Sequence, residues 1–440
     1  MSIEYFFVAF WISFYRLHHG PSPAGVFTDR KNYLRASMKR RERFYTIFTL
    51  GLLSAMGAFS IDMYLPGFPD IARDLHTTIA HITLSITSFF IGISVGQMIY
   101  GPLLDKFGRK KPLYIGLVVY LVTSLACAYA PTADALIGIR FLQALGSCAG
   151  MVASRALVRD IFPVNEIAKI FSLLMLVLAI SPIIAPTLGG YMTALFGWQS
   201  IFFILTGLAF LTLVLVYFKL PAGRPPNLSI SLLPRPITNS FWEVAKVPQF
   251  YTYAFSGAIA YSGLYAYIAG SPFVFMDLYH VSEKQYGWIF AFVAMGLIGA
   301  SQVNTLLLRK YSSEQIIRVT LFCQCLTAMA LVLGTRFHLL GLFSTIFLIW
   351  IFLSTQGFAF PNSSALCLAP FTKNAGTASA LMGAIQLGLG AISTALVSVF
   401  NDGTPMPMAA VMCVCSITSV VVLLIGRRMI VSRNEVGEIA

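Results

Sequence analysis

The sequence predicts an all-α membrane protein: twelve transmembrane helices in two six-helix bundles, with both termini cytoplasmic. Three observations carry that prediction. Hydrophobic residues make up 57% of the chain and charged residues only 11%, far from the ~25% charge of a soluble domain. Apolar runs of about 20 residues recur, each long enough to cross ~30 Å of hydrocarbon. Their length and lack of internal charge favour helices over the alternating strands of a membrane barrel. Lysine and arginine, finally, are shared unevenly between the two sets of connections.

In order, the spans are predicted at 44–66, 82–104, 113–131, 135–158, 168–195, 200–218, 250–276, 286–308, 316–335, 339–361, 376–400 and 406–426. Proline, glycine and short polar turns punctuate them, among them Gly108-Arg109-Lys110-Lys111-Pro112, Ala130-Pro131-Thr132 and Asn401-Asp402-Gly403-Thr404-Pro405. The one long connection, 221–248, carries six prolines. It divides the chain into an N-terminal bundle at 44–219, a cytoplasmic linker at 220–249, a C-terminal bundle at 250–426 and a cytoplasmic tail at 427–440. The linker is expected to be a tether with some helix at the membrane surface. Seventeen basic residues fall on the side of the linker and C-terminal tail, against three, Arg73, Lys284 and Arg336, on the other. The positive-inside rule therefore puts both termini in the cytoplasm.

The first 43 residues fit this plan poorly. The stretch 5–15 is apolar and aromatic, yet too short to span and without a basic flank before it. Translation is expected to begin at Met38, which places Lys39-Arg40-Arg41-Glu42-Arg43 directly before the first span.

Several function classes recede on composition. The net charge of +13 suggests nucleic acid, but its basic residues are spread over short loops and are better read as membrane orientation. All seven cysteines lie within apolar runs, with neither disulfide nor zinc spacing. Gly146-Ser147-Cys148-Ala149-Gly150 reads superficially as a nucleophile elbow, but it lies inside a helix rather than at a strand-to-helix turn. The histidines His76, His81, His280 and His338 fall in or near loops. No enzyme, metal or cofactor is expected.

Asp62 is the acidic residue set well inside an apolar helical run. A carboxylate there costs roughly 2.5–3.5 kcal/mol on insertion scales, which makes it a candidate proton carrier. The alternative is an interfacial residue capping the turn at Pro66 and Pro69. Between spans 2 and 3, Gly101-Pro102-Leu103-Leu104-Asp105-Lys106-Phe107-Gly108-Arg109-Lys110-Lys111-Pro112 orders small, acidic and basic residues beyond what a basic loop needs. Gly101 lets helix ends approach, Gly108 permits the tight turn, Arg109 and its neighbours anchor the loop, and Asp105 can face a helix N-terminus of the other bundle.

This loop resembles the signature loop of the major facilitator superfamily. Asp62-Met63-Tyr64-Leu65-Pro66 resembles the span-1 pattern of its twelve-span drug:proton antiporters, and Arg140-Phe141-Leu142-Gln143-Ala144-Leu145-Gly146 their span-4 motif, with Ala144 where many have glycine. The run from Ser181 through Pro182, Ala185, Pro186, Gly189 and Gly190 resembles their span-5 antiporter motif, with Ser181 and Ala185 replacing glycines. Ser60-Ile61-Asp62-Met63-Tyr64-Leu65-Pro66, Arg159-Asp160-Ile161-Phe162-Pro163 and Ala375-Gly376-Thr377-Ala378-Ser379-Ala380-Leu381-Met382-Gly383 narrow the resemblance to the Bcr/CflA (bicyclomycin-resistance) multidrug efflux group. Arg155 in span 4 is unusual for that group, and the second-half counterpart of the signature loop, near 308–311, has lost its Asp and Gly.

The resemblance implies two bundles rocking about a midplane site, driven by the proton gradient, in the bacterial inner membrane. It implies an antiporter that exports drugs or other small amphipathic compounds and works as a monomer without nucleic acid. The rival readings are a proton-coupled carrier of a native metabolite and, further off, a membrane-embedded enzyme. Asp62 and Arg140, at similar depth, are expected to form a state-dependent pair, because a nearby guanidinium favours the charged carboxylate. Some relatives carry a second acid where this chain has Ser54. Gly189 and Gly190, with the kinks at Pro182 and Pro186, are expected to bring span 5 close to span 8. Tyr64, Gln143, Tyr261, Tyr265 and Gln356 are the candidate cavity residues.

Overall fold

The computed structural model describes residues 40–228, 234–371 and 375–438; the expected start at Met38 lies outside them. Among the described residues twelve helices are long and apolar enough to span a membrane: Arg40–Asp74, Ile79–Lys106, Lys110–Ala128, Ala133–Ile161, Lys169–Phe196, Gln199–Phe218, Pro248–Leu278, Glu283–Leu307, Ser313–Arg336, Leu342–Leu368, Ala375–Val399 and Met406–Ile430. They follow the predicted order, numbered 1 to 12 below. Large apolar side chains such as Ile115, Val122, Phe210, Val319 and Phe343 point outward, as expected of a surface bathed in lipid.

The largest departure from the predicted boundaries is span 1. It continues past Pro66 to Asp74 as a broken helix: Arg40–Asp62, a 3-10 turn at Leu65–Gly67, then Phe68–Asp74. Pro66 has no N–H to donate and its ring obstructs the preceding turn, and Pro69 opens the second piece. The chain bridges the gap through Tyr64 N–H to Ile61 O (3.3 Å) and Gly67 N–H to Tyr64 O (3.1 Å). Asp62 is thus the last residue of the first piece, well short of the end of the span.

The remaining ends follow their local sequence. Thr78 and Thr132 cap spans 2 and 4, and Ser282–Gln285 and Ser312–Gln315 form capping boxes on spans 8 and 9. His76, His280 and His338 adopt left-handed backbone (φ 50°, 54° and 52°) where spans 1, 7 and 9 finish. The N–H of the residue after each reaches back into the last turn, to Ala72, Phe275 and Gly334. These three histidines are helix terminators, which explains why they fall at loops.

Within the first half, span 4 packs on spans 2 and 3, and span 3 on span 6; within the second, span 7 packs on spans 10, 11 and 12, and span 10 on spans 8 and 9. Small residues permit this closeness: a Cβ at Gly92 or Gly116 would overlap Ala144 or Ala149 of span 4. The halves meet along two seams, span 2 against span 11 and span 5 against span 8. The linker contributes a helix, Pro234–Ala245.

Candidate functional site

Arg140 is fully buried in span 4, and its guanidinium is held from several sides. One terminal nitrogen donates to Gln143 Oε1 (2.6 Å) and the other to the Ser60 carbonyl of span 1 (2.8 Å). Its planar centre lies 4.2 Å from the Phe89 ring centroid and 4.7 Å from that of Tyr64, so two π faces flank the cation in a desolvated setting. Gln143 in turn donates to Ser124 Oγ (2.8 Å), while the Ser60 and Tyr120 hydroxyls bond each other (2.6 Å). Arg140 therefore ties spans 1, 3 and 4 together, and its Nε remains buried without a hydrogen-bond partner.

Asp62 is 7% exposed and has no hydrogen bond or ion pair among the described residues. The expected pair with Arg140 is not formed in this structure. The depth match holds, since Arg140 grips span 1 two residues away at Ser60, but the carboxylate turns elsewhere. It lies within electrostatic reach of Tyr261, Tyr267 and Tyr286, all from the second half of the chain. The Tyr286 hydroxyl bonds Ser271 Oγ (2.7 Å), whereas the Tyr267 hydroxyl is buried with no hydrogen-bond partner. Ser54 bonds Ser154 of span 4 (2.9 Å) and the Leu50 carbonyl (2.9 Å), fastening the two helices.

The span-5 motif works through its backbone. Gly189 lies so close to the Met63 carbonyl, at the break in span 1, that any Cβ would overlap it. Gly190 abuts the Glu283 carbonyl at the start of span 8, and Gly287 of span 8 meets Pro186 and Thr187 in return. Thus the close approach to span 8 belongs to Gly190, while Gly189, rotated about 100° from it, serves span 1 instead. Pro182 and Pro186 lie inside the continuous helix. These contacts, with Ser398 Oγ donating to the Ala80 carbonyl (2.5 Å) and Thr87 bonding Thr394 (2.7 Å), close the end of the molecule opposite the signature loop.

At the other end Gly108 takes φ +80° and turns the loop. Arg109 donates to Asp105 (2.6 Å) and to Asp160 (2.7 Å), and Asp160 also accepts the Arg224 N–H of the linker (3.1 Å). The Asn227 N–H bonds the Asp105 carbonyl (3.2 Å), so the linker is stitched to the loop. Burial works to lower the Arg109 pKa, but hydrogen bonds and charge from Asp160, then Asp105, hold it above its ordinary value. The Asp105 side chain is therefore engaged within its own half rather than with a helix of the other. No described residue packs where a Cβ on Gly101 would stand, so the close approach expected there is not made in this state.

The candidate cavity residues separate into two kinds. Tyr64, bonded to Ser85 (3.0 Å) and stacked under Arg140, and Gln143, with both ends of its amide engaged, are struts inside the first half. Tyr261 and Tyr265 stand edge to face (5.5 Å between ring centroids), and Tyr265 meets Phe90 of span 2 across the two halves (4.6 Å). Gln356 donates to the Ala260 carbonyl (2.7 Å), linking spans 10 and 7. The half-buried Arg155 lies close enough to Cys148 to act on it electrostatically. Sequence reasoning did not single out Phe89, Tyr267 or Tyr286, and quoted Asp160 only as part of a motif.

Twelve spans, two seams and a carboxylate at a helix break define a secondary-transporter architecture. The sequence matches the Major Facilitator Superfamily over residues 48–395, and the chain belongs to that family as a multi-pass protein of the bacterial inner membrane. It is 34% identical over 380 residues to the uncharacterized MFS-type transporter YdgK of Bacillus subtilis, covering 86% of this chain and 94% of that one. It is 31% identical over 382 residues to a bicyclomycin resistance protein homolog of Haemophilus influenzae, covering 87% and 96%. To the multidrug resistance protein MdtL of Klebsiella pneumoniae it is 27% identical over 385 residues, covering 86% and 94%. The crystal structure of a D-xylose-proton symporter superposes with a TM-score of 0.68 at 12% identity, covering 86% of this chain and 97% of that one; at that identity the likeness is one of fold.

Proposed function

We propose that the chain is a proton-coupled antiporter that exports drugs or other small amphipathic compounds by alternating access, with Asp62 as its proton carrier. The observation that carries the reading is the near full-length similarity to a bicyclomycin resistance protein homolog. A buried carboxylate at the break in span 1, within electrostatic reach of Tyr261 of the second half, supports it. With the basic signature loop and linker placed at the cytoplasm, the closed end is the outer one, and rocking of the two halves opens it. Asp62 loads a proton from outside and releases it inward as compound is bound. One proton moving down ~100 mV supplies ~2.3 kcal/mol, enough for a roughly 40-fold gradient of exported compound. The proton gradient is the only energy source this scheme requires, and a single chain contains all of its parts.

The test is bicyclomycin efflux and drug-induced proton release in a strain overproducing the chain, with and without an uncoupler, for wild type and Asp62→Asn. Efflux abolished by both uncoupler and substitution supports the reading. Normal proton release from Asp62→Asn sinks the carrier role. Unchanged sensitivity to amphipathic antibiotics alongside an altered metabolite pool favours a native-metabolite carrier instead.

A further inference from the structure

Spans 2 and 11 meet along a line of contacts: Ser398 with Ala80, Thr87 with Thr394, and Ser94 Oγ donating to the Ala384 carbonyl (2.8 Å). The line ends where the Gln97 amide fills the space beside Gly383. Further along the same faces, no described residue packs where a Cβ on Gly101 or Gly376 would stand, so the halves part there. Arg155 of span 4 sits at this opening. Gly92 abuts Ala144 and Gly96 abuts Cys148, a register that sets Arg155 level with Leu103, just past the last contact of the seam. Its face of span 4 is given by its neighbours one and two turns back. Cys148, Met151 and Val152 pack with Phe89 and Ile93 of span 2, Ile61 of span 1 and Leu387 of span 11. An apolar cluster joining both halves thus leads to a guanidinium.

That guanidinium is half-buried and has no hydrogen bond, ion pair or ring contact among the described residues. The acids near it in the chain and on the adjoining connections are taken. Asp160 is held by Arg109 and the Arg224 N–H, Asp105 by Arg109, and Glu166 by Arg43 (2.7 Å). Span 1 meets this level at Ser54, whose hydroxyl bonds Ser154, and brings no acid. Anchoring the helix end does not require Arg155, because the exposed Arg159 lies one turn nearer to it. A second cation at that spacing adds like-charge repulsion and a cost of insertion.

We propose that Arg155 is a specificity-determining residue that holds an oxyanion group (carboxylate, sulfonate or phosphate) on an amphipathic compound entering where the halves part. The inference rests on the reading of the chain as an exporter of small amphipathic compounds and names the charge class of its cargo. The apolar body of the compound rests against Met151, Val152 and Leu387, and its anion meets the guanidinium, whose planar fork matches two oxygens. Arg159, exposed one turn nearer the mouth, adds to the field that draws an anion in. Asp62 lies about 12 Å further along span 1 than Ser54, so the anion and the proposed proton carrier occupy different depths. An anionic lipid headgroup offers the guanidinium the same chemistry, and the experiment separates the two sources.

The experiment is a fluorescence binding titration on the full-length protein in phosphatidylcholine nanodiscs, with the signal of empty discs subtracted. The probes are 8-anilinonaphthalene-1-sulfonate and N-phenyl-1-naphthylamine, which has the same rings without the sulfonate. A hydrogen bond to an ionised group is worth about tenfold or more in affinity. Arg155→Gln is therefore expected to weaken the sulfonate probe by about tenfold or more and the neutral probe far less. Arg155→Lys, which keeps the charge but not the fork, should recover part of the loss. Equal weakening of both probes overturns the inference, since Arg155 then only shapes the pocket. So does a sulfonate probe that binds wild type no better than Arg155→Gln. In a further arm the discs contain phosphatidylglycerol. If that lipid lowers wild-type affinity for the sulfonate probe to the Arg155→Gln level and leaves the variant unmoved, the cation holds a lipid headgroup and the inference falls. Binding needs no proton gradient, so each of these outcomes leaves the antiporter reading to its own test, bicyclomycin efflux with and without an uncoupler.

Discussion

Gly190→Ala and Gly189→Ala add the same methyl group at adjacent positions and are expected to fail differently. At Gly190 the new Cβ overlaps the Glu283 carbonyl across the span 5–span 8 seam; at Gly189 it overlaps the Met63 carbonyl within the first half. Both obstacles are backbone, so neither is relieved by a rotamer change, and overpacking of this kind costs about 1–3 kcal/mol. For Gly190→Ala that cost falls on the closed seam alone. The equilibrium should therefore move toward the opened form by about 5–150-fold. A cysteine placed at Ser398, which closes the same end through the Ala80 carbonyl, reads this out. Its labelling rate by a membrane-impermeant maleimide, against the parent without Ser398→Cys, should rise by that factor in Gly190→Ala. Gly189→Ala should leave the rate near wild type, lower thermal stability, and weaken proton release because it displaces the residue next to Asp62. Equal labelling rates in the two variants would refute the assignment of one glycine to each partner.

Two further outcomes test the struts. Gln143→Leu strips Arg140 of its side-chain acceptor and Ser124 of its donor; it should cost about 1–3 kcal/mol in thermal unfolding of the purified protein, while the range of compounds tolerated by an overproducing strain stays the same. Arg109→Gln leaves Asp105 and Asp160 without their cation. Because Asp160 is largely buried and Asp105 half-exposed, the loss should lie near the low end of the ~3–5 kcal/mol typical of a broken buried pair, and limited proteolysis should cut the linker near Arg224 faster than in wild type.

What could be read from the sequence was whatever depends on hydropathy and local geometry. Each of the twelve spans announced itself by length and apolarity, and Gly108 by the turn its loop requires. The break in span 1 is half visible: Pro66 reads as the end of a helix, although Pro69 and the apolar residues around it are compatible with one that restarts. Partners were harder to see, because they depend on how helices lie against each other. Arg140 bonds a backbone carbonyl, and a carbonyl carries no sequence signal. Asp160 sits beside Arg159 in the chain, but the cation it meets, Arg109, is on another connection. Tyr267, a buried phenol without a hydrogen-bond partner, shares the tyrosine-rich helix Pro248–Pro272 with the expected Tyr261 and Tyr265, and nothing local in the sequence marks it as the more buried.

The placement of Asp62 also shows how its surroundings can change. Pro66 cannot donate back to the Asp62 carbonyl, so the helix ends and the chain is free to re-aim at this point. Met63, the next residue, rests against Gly189, and Gly190 rests against span 8. Two adjacent glycines therefore connect the break at Asp62, the proposed proton carrier, to the seam through backbone contacts alone. A shift of span 5 along span 8 must either move Met63 or open a gap beside it, and either outcome alters the setting of Asp62. Side chains at those positions would cushion such a shift through their rotamers. Glycine leaves no cushion, which is a physical reason for the motif to hold glycine at both positions.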